Sequence, residues 1–156
     1  MLTLFRWLAS THFSIALSQS QWAFAIIEIV HLLALSVSGG AILYFDLRML
    51  GWSFRSQPEA QVARALLPLA GLGMLAMTGS GFLMVASGPV RYYYNPAFRL
   101  KMYLFIVALL FHFAVQWKVS RGDKEGSVRT VARLAAVISL LLWFSIGVAG
   151  RAIGFV

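Results

Sequence analysis

The chain has 156 residues, 60% of them hydrophobic, a mean hydropathy of +0.81 and only 12% charged side chains. Soluble domains carry roughly 25% charged residues, so this composition belongs to an integral membrane protein and leaves no room for a soluble catalytic domain. The net charge of +8 does not signal nucleic-acid binding, because the basic residues punctuate the ends of apolar runs instead of forming a patch. The absence of cysteine excludes disulfides, thiolate ligands, iron–sulfur clusters and c-type haem attachment.

Residues 1–20 are expected to be an uncleaved segment lying in the membrane interface. Leu4, Trp7, Leu8, Phe13 and Leu17 would form the apolar face of an amphipathic helix there. From residue 21 onward four runs are long enough to cross a bilayer, near 22–47, 64–86, 98–118 and 128–150. The expected fold is therefore all-α: an integral membrane four-helix bundle (21–156) preceded by the interfacial helix.

Between the first two spans, Gly51–Val62 carries turn residues, and Ser56-Gln57-Pro58-Glu59 reads as a helix start with a capping serine and a glutamate three residues on. The second span is rich in small residues, Gly71, Gly73, Gly79, Ser80 and Gly81, with Pro68 near its start. Such residues let helix backbones approach closely or leave room for a planar ligand. Ser87–Ala97 holds the turn dipeptides Gly88-Pro89 and Asn95-Pro96, and Ser120–Ser127 is a solvated turn whose Arg-Gly-Asp triplet is incidental.

With four spans, both termini share one side. Arg48, Arg55, Arg64, Lys118, Arg121, Lys124, Arg129 and Arg133 flank one set of loops, against Arg6, Arg91, Arg99, Lys101 and Arg151 on the other side. The larger set is expected to be cytoplasmic. This would put both termini on the periplasmic side of a bacterial inner membrane, with Trp22 and Tyr92-Tyr93-Tyr94 in the outer aromatic belt.

Two histidines lie within the apolar runs. On the first span, Glu28, His31, Leu35, Ser38, Gly39, Ile42 and Asp46 share one helix face, which must turn toward the bundle. Glu28 is placed to hydrogen-bond His31 and orient it as a ligand; the alternative is a bond that merely joins helices. On the third span the matching stripe is Lys101, Phe105, Ala108, His112 and Gln116. If Gln21 and Lys101 both mark the outer interface, His31 and His112 lie at similar depth, roughly 15–16 Å in, as two axial ligands of one haem iron would. Lys101 reads either as an interfacial anchor or as a partner for a haem propionate, and Arg91, Arg99 and the tyrosines admit the same two readings. His12 is expected to make an interfacial hydrogen bond. Met74 and Met77 have a spacing copper can use, but methionine is also ordinary core filler.

In the first span His31 is followed by Gly39-Gly40, Tyr44 and Leu47-Arg48; in the third, Lys101 precedes His112 by eleven residues in a leucine-rich run. Over about residues 22–118 this resembles the HemJ-type membrane protoporphyrinogen oxidases and the related CopD-like membrane proteins. The resemblance implies a haem b within the bundle, His31 as its ligand, and Lys101 in the place of the lysine that family requires. Glu28 and Asp46 depart from the pattern, which points to a sister family with haem but different chemistry. The leading expectation is thus a haem b-binding redox protein ligated by His31 and His112, with Glu28 supporting the ligand and Lys101 or Arg99 meeting the propionates. Its partners would be the lipid bilayer, a redox protein or quinone, and further copies of itself. The alternatives are a copper-binding or copper-transporting protein of the CopD type, and a structural protein without cofactor.

Overall fold

Most residues of the four apolar runs are hydrophobic on every side, so periodicity alone does not say which face turns inward. Small and polar residues make that choice. The computed structural model describes residues 1–52, 59–120 and 128–155. Within them the elements are α1 (Leu2–Ala9), α2 (His12–Gln19), α3 (Gln21–Leu50), α4 (Glu59–Ala86), α5 (Pro89–Tyr94), α6 (Pro96–Ser120) and α7 (Val128–Ala152). Four of these helices are long and apolar enough to cross a membrane, over Gln21–Leu50, Arg64–Ala86, Pro96–Val115 and Thr130–Ala152. The chain is an all-α, four-span membrane bundle.

The helices close a ring in which α3 packs on α4, α4 on α6, α6 on α7 and α7 back on α3, leaving α3 and α6 across the diagonal. The core is built of small side chains, among them Ala34, Ala41, Ala70, Ala108, Ala136 and Ala149, with Phe45, Ile42 and Met49 filling the space around them. Large side chains such as Leu33, Leu72, Leu75, Leu110 and Leu141 point outward, where lipid receives them. Lipid offers no hydrophobic gain for burying leucine, so close backbone approach is what holds the helices together. The α3/α4 seam is the most extensive, and Gly73 makes it so: a Cβ there would stand 2.8 Å from both the Ser38 Cβ and the Ser38 backbone nitrogen, and 3.0 Å from the Ala34 carbonyl oxygen.

Caps set the helix ends. Ser20 accepts the Ala23 N–H to start α3, and Gly51, at φ 82°, ends it in the left-handed conformation that glycine adopts without strain. The Ser56–Glu59 start signal lies outside the described residues except for Glu59, the first residue of α4. The single N-terminal helix expected from the sequence is two. Ser10 and Thr11 donate their hydroxyls to the carbonyls of Trp7 and Leu8, and the Thr11 oxygen then caps α2 by accepting the Ser14 N–H. Of the expected apolar face, Leu4, Trp7 and Phe13 are exposed and Leu8 and Leu17 half-buried. The other side is anchored: Ser14 donates to the Ala86 carbonyl at 2.6 Å, and α1 packs on α5 with Phe5 and Tyr93 rings 5.3 Å apart.

The turn expected at 87–97 contains a short helix, α5, opened by Pro89. Asn95 then does two things: its Oδ1 accepts the Phe98 N–H, starting α6, and its Nδ2 donates to the Ile153 carbonyl beyond α7. This pins the start of α6 to the C-terminal end of the last span.

Candidate functional site

Two groups of polar residues occupy the bundle interior, one toward the end where both termini lie, here termed outer, and one toward the opposite, inner end. The outer group is centred on His31, half-buried on α3. Its Nδ1 lies 3.0 Å from the Ser80 hydroxyl of α4. Ser80 has one proton to give, and it is directed at the Ala76 carbonyl at 2.6 Å, with the Met77 carbonyl at 3.2 Å. The serine oxygen must therefore accept from His31, so Nδ1 carries the ring proton. The neutral imidazole then keeps its lone pair on Nε2. The ring lies against Gly81, where a Cβ would stand 3.4 Å from Cε1.

Lys101 of α6 and Glu28, one turn outward on α3, are within electrostatic range of this ring. Lys101 is half-buried, with its ammonium packed on Gly150 of α7, where a Cβ would stand 3.1 Å from Nζ. Glu28 also acts on Tyr92 of α5; burial pushes that phenol above its ordinary value, with Arg91 opposing. Four elements thus converge on one polar station. The expectation that Glu28 would orient His31 is corrected: Glu28 is exposed, and the ring is held by Ser80 across the helix seam. Arg99 is exposed in the first turn of α6, and His12 is exposed on α2.

His112 lies elsewhere. It is buried on α6 between aromatic rings, 6.1 Å from Phe113 and 6.4 Å from Trp143 of α7. Trp143 in turn lines a cleft with Gly39, Ile42, Leu43 and Asp46, residues two to four turns beyond His31 on α3. Lys101, by contrast, is beside His31, and eleven residues separate it from His112, roughly 16 Å along the helix. The two histidines do not share a depth. Gln21 and Lys101 are not equivalent interface markers: α3 begins ten residues before His31, whereas α6 begins five before Lys101. The first turns of α3 rise past the start of α6.

The inner group comprises Asp46 and Ser139, both fully buried where α3 meets α7. Ser139 faces the carboxyl, yet neither Asp46 Oδ2 nor Ser139 Oγ completes a hydrogen bond. The cleft beside them has a volume of about 440 Å³ and is walled by Leu140, Leu141, Trp143 and Phe144 as well as the α3 residues. Met74 packs with Ala41, Ile42 and Ala70, an apolar setting, and among the described residues no three His, Asp or Glu side chains converge as metal ligands. Ser139 and Trp143 were not singled out by the sequence. Ser139 and Trp143, in a largely aliphatic span, were the available signals.

These features define a polytopic α-helical membrane protein with an oriented histidine near the end where both termini lie and a buried carboxyl toward the opposite end. The chain belongs to DUF6644, a family of unknown function, whose profile matches residues 5–156. No curated protein and no solved structure matches it.

Proposed function

We propose that this chain is a haem b-binding redox protein of the bacterial inner membrane, with both termini periplasmic and His31 as the axial ligand. The observation that carries the reading is the hydrogen bond from His31 Nδ1 to Ser80. A ligating imidazole almost always donates its other ring N–H to a fixed acceptor, which sets the tautomer and the ring orientation. Here the acceptor is itself fixed by its bond to Ala76, and Nε2 is the nitrogen left to bind iron. The donor set fits haem: one neutral nitrogen ligand, a glycine against the ring, and the Lys101 cation in range for a propionate. The resemblance of the His31 and Lys101 segments to HemJ-type oxidases points the same way. Haem b would supply one-electron redox chemistry.

The offset of His112 favours His31 as the one histidine ligand over a bis-histidine site. With His31 as its one histidine ligand, the group would supply oxidation of a bound molecule in preference to simple electron relay. His31, oriented by Ser80, would hold the group, and Lys101 would meet its anionic edge within apolar helices that exclude water.

The test is an absorption spectrum of detergent-purified protein expressed with ample haem, with iron and copper quantified on the same sample. A Soret band is expected in the wild type and in His112→Ala, and its loss in His31→Ala. Colourless, iron-free wild-type protein would overturn the reading. A Soret band lost equally in both variants would restore the paired-histidine site.

A further inference from the structure

The cleft between α3 and α7 is not explained by helix packing. Most of the bundle closes through small side chains, but on the lipid side of this seam Leu43, Leu140, Leu141, Trp143 and Phe144 wall a cleft of about 440 Å³. That volume lies within the roughly 300–1,000 Å³ range of small-molecule sites. Leu43, Leu141 and Phe144 are all exposed on the outer surface of the span, so the opening faces lipid and a ligand would enter from the bilayer.

Its inner end is polar. Asp46 is 2% exposed and Ser139 is 4% exposed, and each has an oxygen with no hydrogen-bond partner. Buried polar groups are nearly always bonded, because leaving one unpaired costs about 1–3 kcal/mol. Two such oxygens on facing helices, beside a cleft that one of them lines, are a place prepared for a bonding partner. Asp46 lines the cleft from α3, and Ser139 stands behind it on α7, facing the carboxyl.

We infer that the α3/α7 cleft binds the ring of a lipid-dissolved quinone or quinol, its oxygen bonded by Asp46 and Ser139. Trp143 and Phe144 give a flat ring an aromatic wall. A protonated Asp46 donates to a quinone oxygen, and an ionised one accepts from a quinol hydroxyl, so the pair serves both redox forms. An acyl chain would fill the apolar part of the cleft but would leave both oxygens unpaired. The cleft does not include His31, so this inference stands apart from the haem reading and is tested without it.

The experiment uses the full-length protein in lipid nanodiscs, titrated with decylubiquinone and, separately, with decylbenzene, which has the same tail and no oxygen. Tryptophan fluorescence is read against a Trp143→Phe variant to isolate the cleft signal. Saturable quenching by decylubiquinone that decylbenzene does not displace is the expected result. Gly39→Leu, which adds a side chain where nothing lies within 4 Å, should weaken that binding at least tenfold. Overturning results are a non-saturable signal, equal displacement by decylbenzene, or unchanged affinity in a folded Gly39→Leu protein. The comparison of the two probes on the wild type decides the matter even if that variant fails to fold.

Discussion

Replacing Gly73 by alanine adds one methyl group at the tightest point of the bundle. The new carbon would stand 2.8 Å from the Ser38 backbone nitrogen and Cβ and 3.0 Å from the Ala34 carbonyl oxygen. Two of those three atoms are backbone, so no rotamer change relieves the contact and the α3/α4 seam must open. Overpacking of this kind costs about 1–3 kcal/mol, and the better helix propensity of alanine returns up to about 1 kcal/mol. The net expectation is a loss of about 1–2 kcal/mol. Gly79 lies on the same helix with nothing within 4 Å of its would-be Cβ, and Gly79→Ala should be neutral or slightly stabilising. Unfolding in mixed micelles, followed by far-ultraviolet circular dichroism as detergent denaturant is raised, compares the two variants directly. The consequence reaches the polar station as well. Ser80 is seven residues from Gly73, about 10 Å along α4, so a seam forced open at Gly73 lengthens the 3.0 Å bond between Ser80 and His31. If Gly73→Ala proves as stable as Gly79→Ala, close approach at that glycine is not what holds the seam.

Ser80→Ala removes the acceptor for the His31 Nδ1–H; haem affinity, followed by Soret titration, should fall about 10–100-fold, while stability changes by only about 1 kcal/mol. Asn95→Asp keeps the oxygen that starts α6 but loses the donor to the Ile153 carbonyl, whereas Asn95→Ala loses both. A thermal scan should therefore place Asn95→Ala below Asn95→Asp by the worth of a cap, about 1 kcal/mol. Because the chain has no cysteine, single substitutions report topology cleanly. Thr3→Cys should react with an impermeant maleimide on intact cells and Ser56→Cys only after permeabilisation, and the reverse pattern would invert the proposed orientation.

How far the sequence reveals this arrangement depends on what kind of signal each feature carries. Span positions follow from hydropathy, and the observed helices fall on all four expected runs. The inward stripe of the first span was also legible, because a polar residue in an apolar helix must turn from lipid: Ser38, Ile42 and Asp46 are buried and His31 half-buried. The stripe fails at Glu28, which stands near the outer end, where exposure is cheap. Relative depth was not legible. It depends on where one helix begins against another, and that is set by tertiary ties such as Asn95 to Ile153 and Ser14 to Ala86, which span 58 and 72 residues of sequence. Asn95-Pro96 reads as a turn in sequence. Its second role, as the tie that sets the height of α6 against α7, has no local signature.

The two sides of α3 are built differently, and the difference yields a test of both proposals together. On the α4 side, glycine and serine bring backbones into contact, which suits a ligand that must be held still. On the α7 side, leucine and aromatic side chains wall a cleft open to lipid, which suits a molecule that enters and leaves through lipid. His31 and Asp46 are fifteen residues apart on α3, roughly 22 Å along the axis, too far for one small ligand to touch both. Ser80→Ala should thus weaken haem and leave decylubiquinone affinity within about twofold, and Gly39→Leu should do the converse. Soret titration and tryptophan quenching on the same four samples, with wild type and the double variant, measure both. Each substitution shifting both affinities alike would mean that the seams are coupled through α3, and the division of the bundle into a rigid and a yielding side would be wrong.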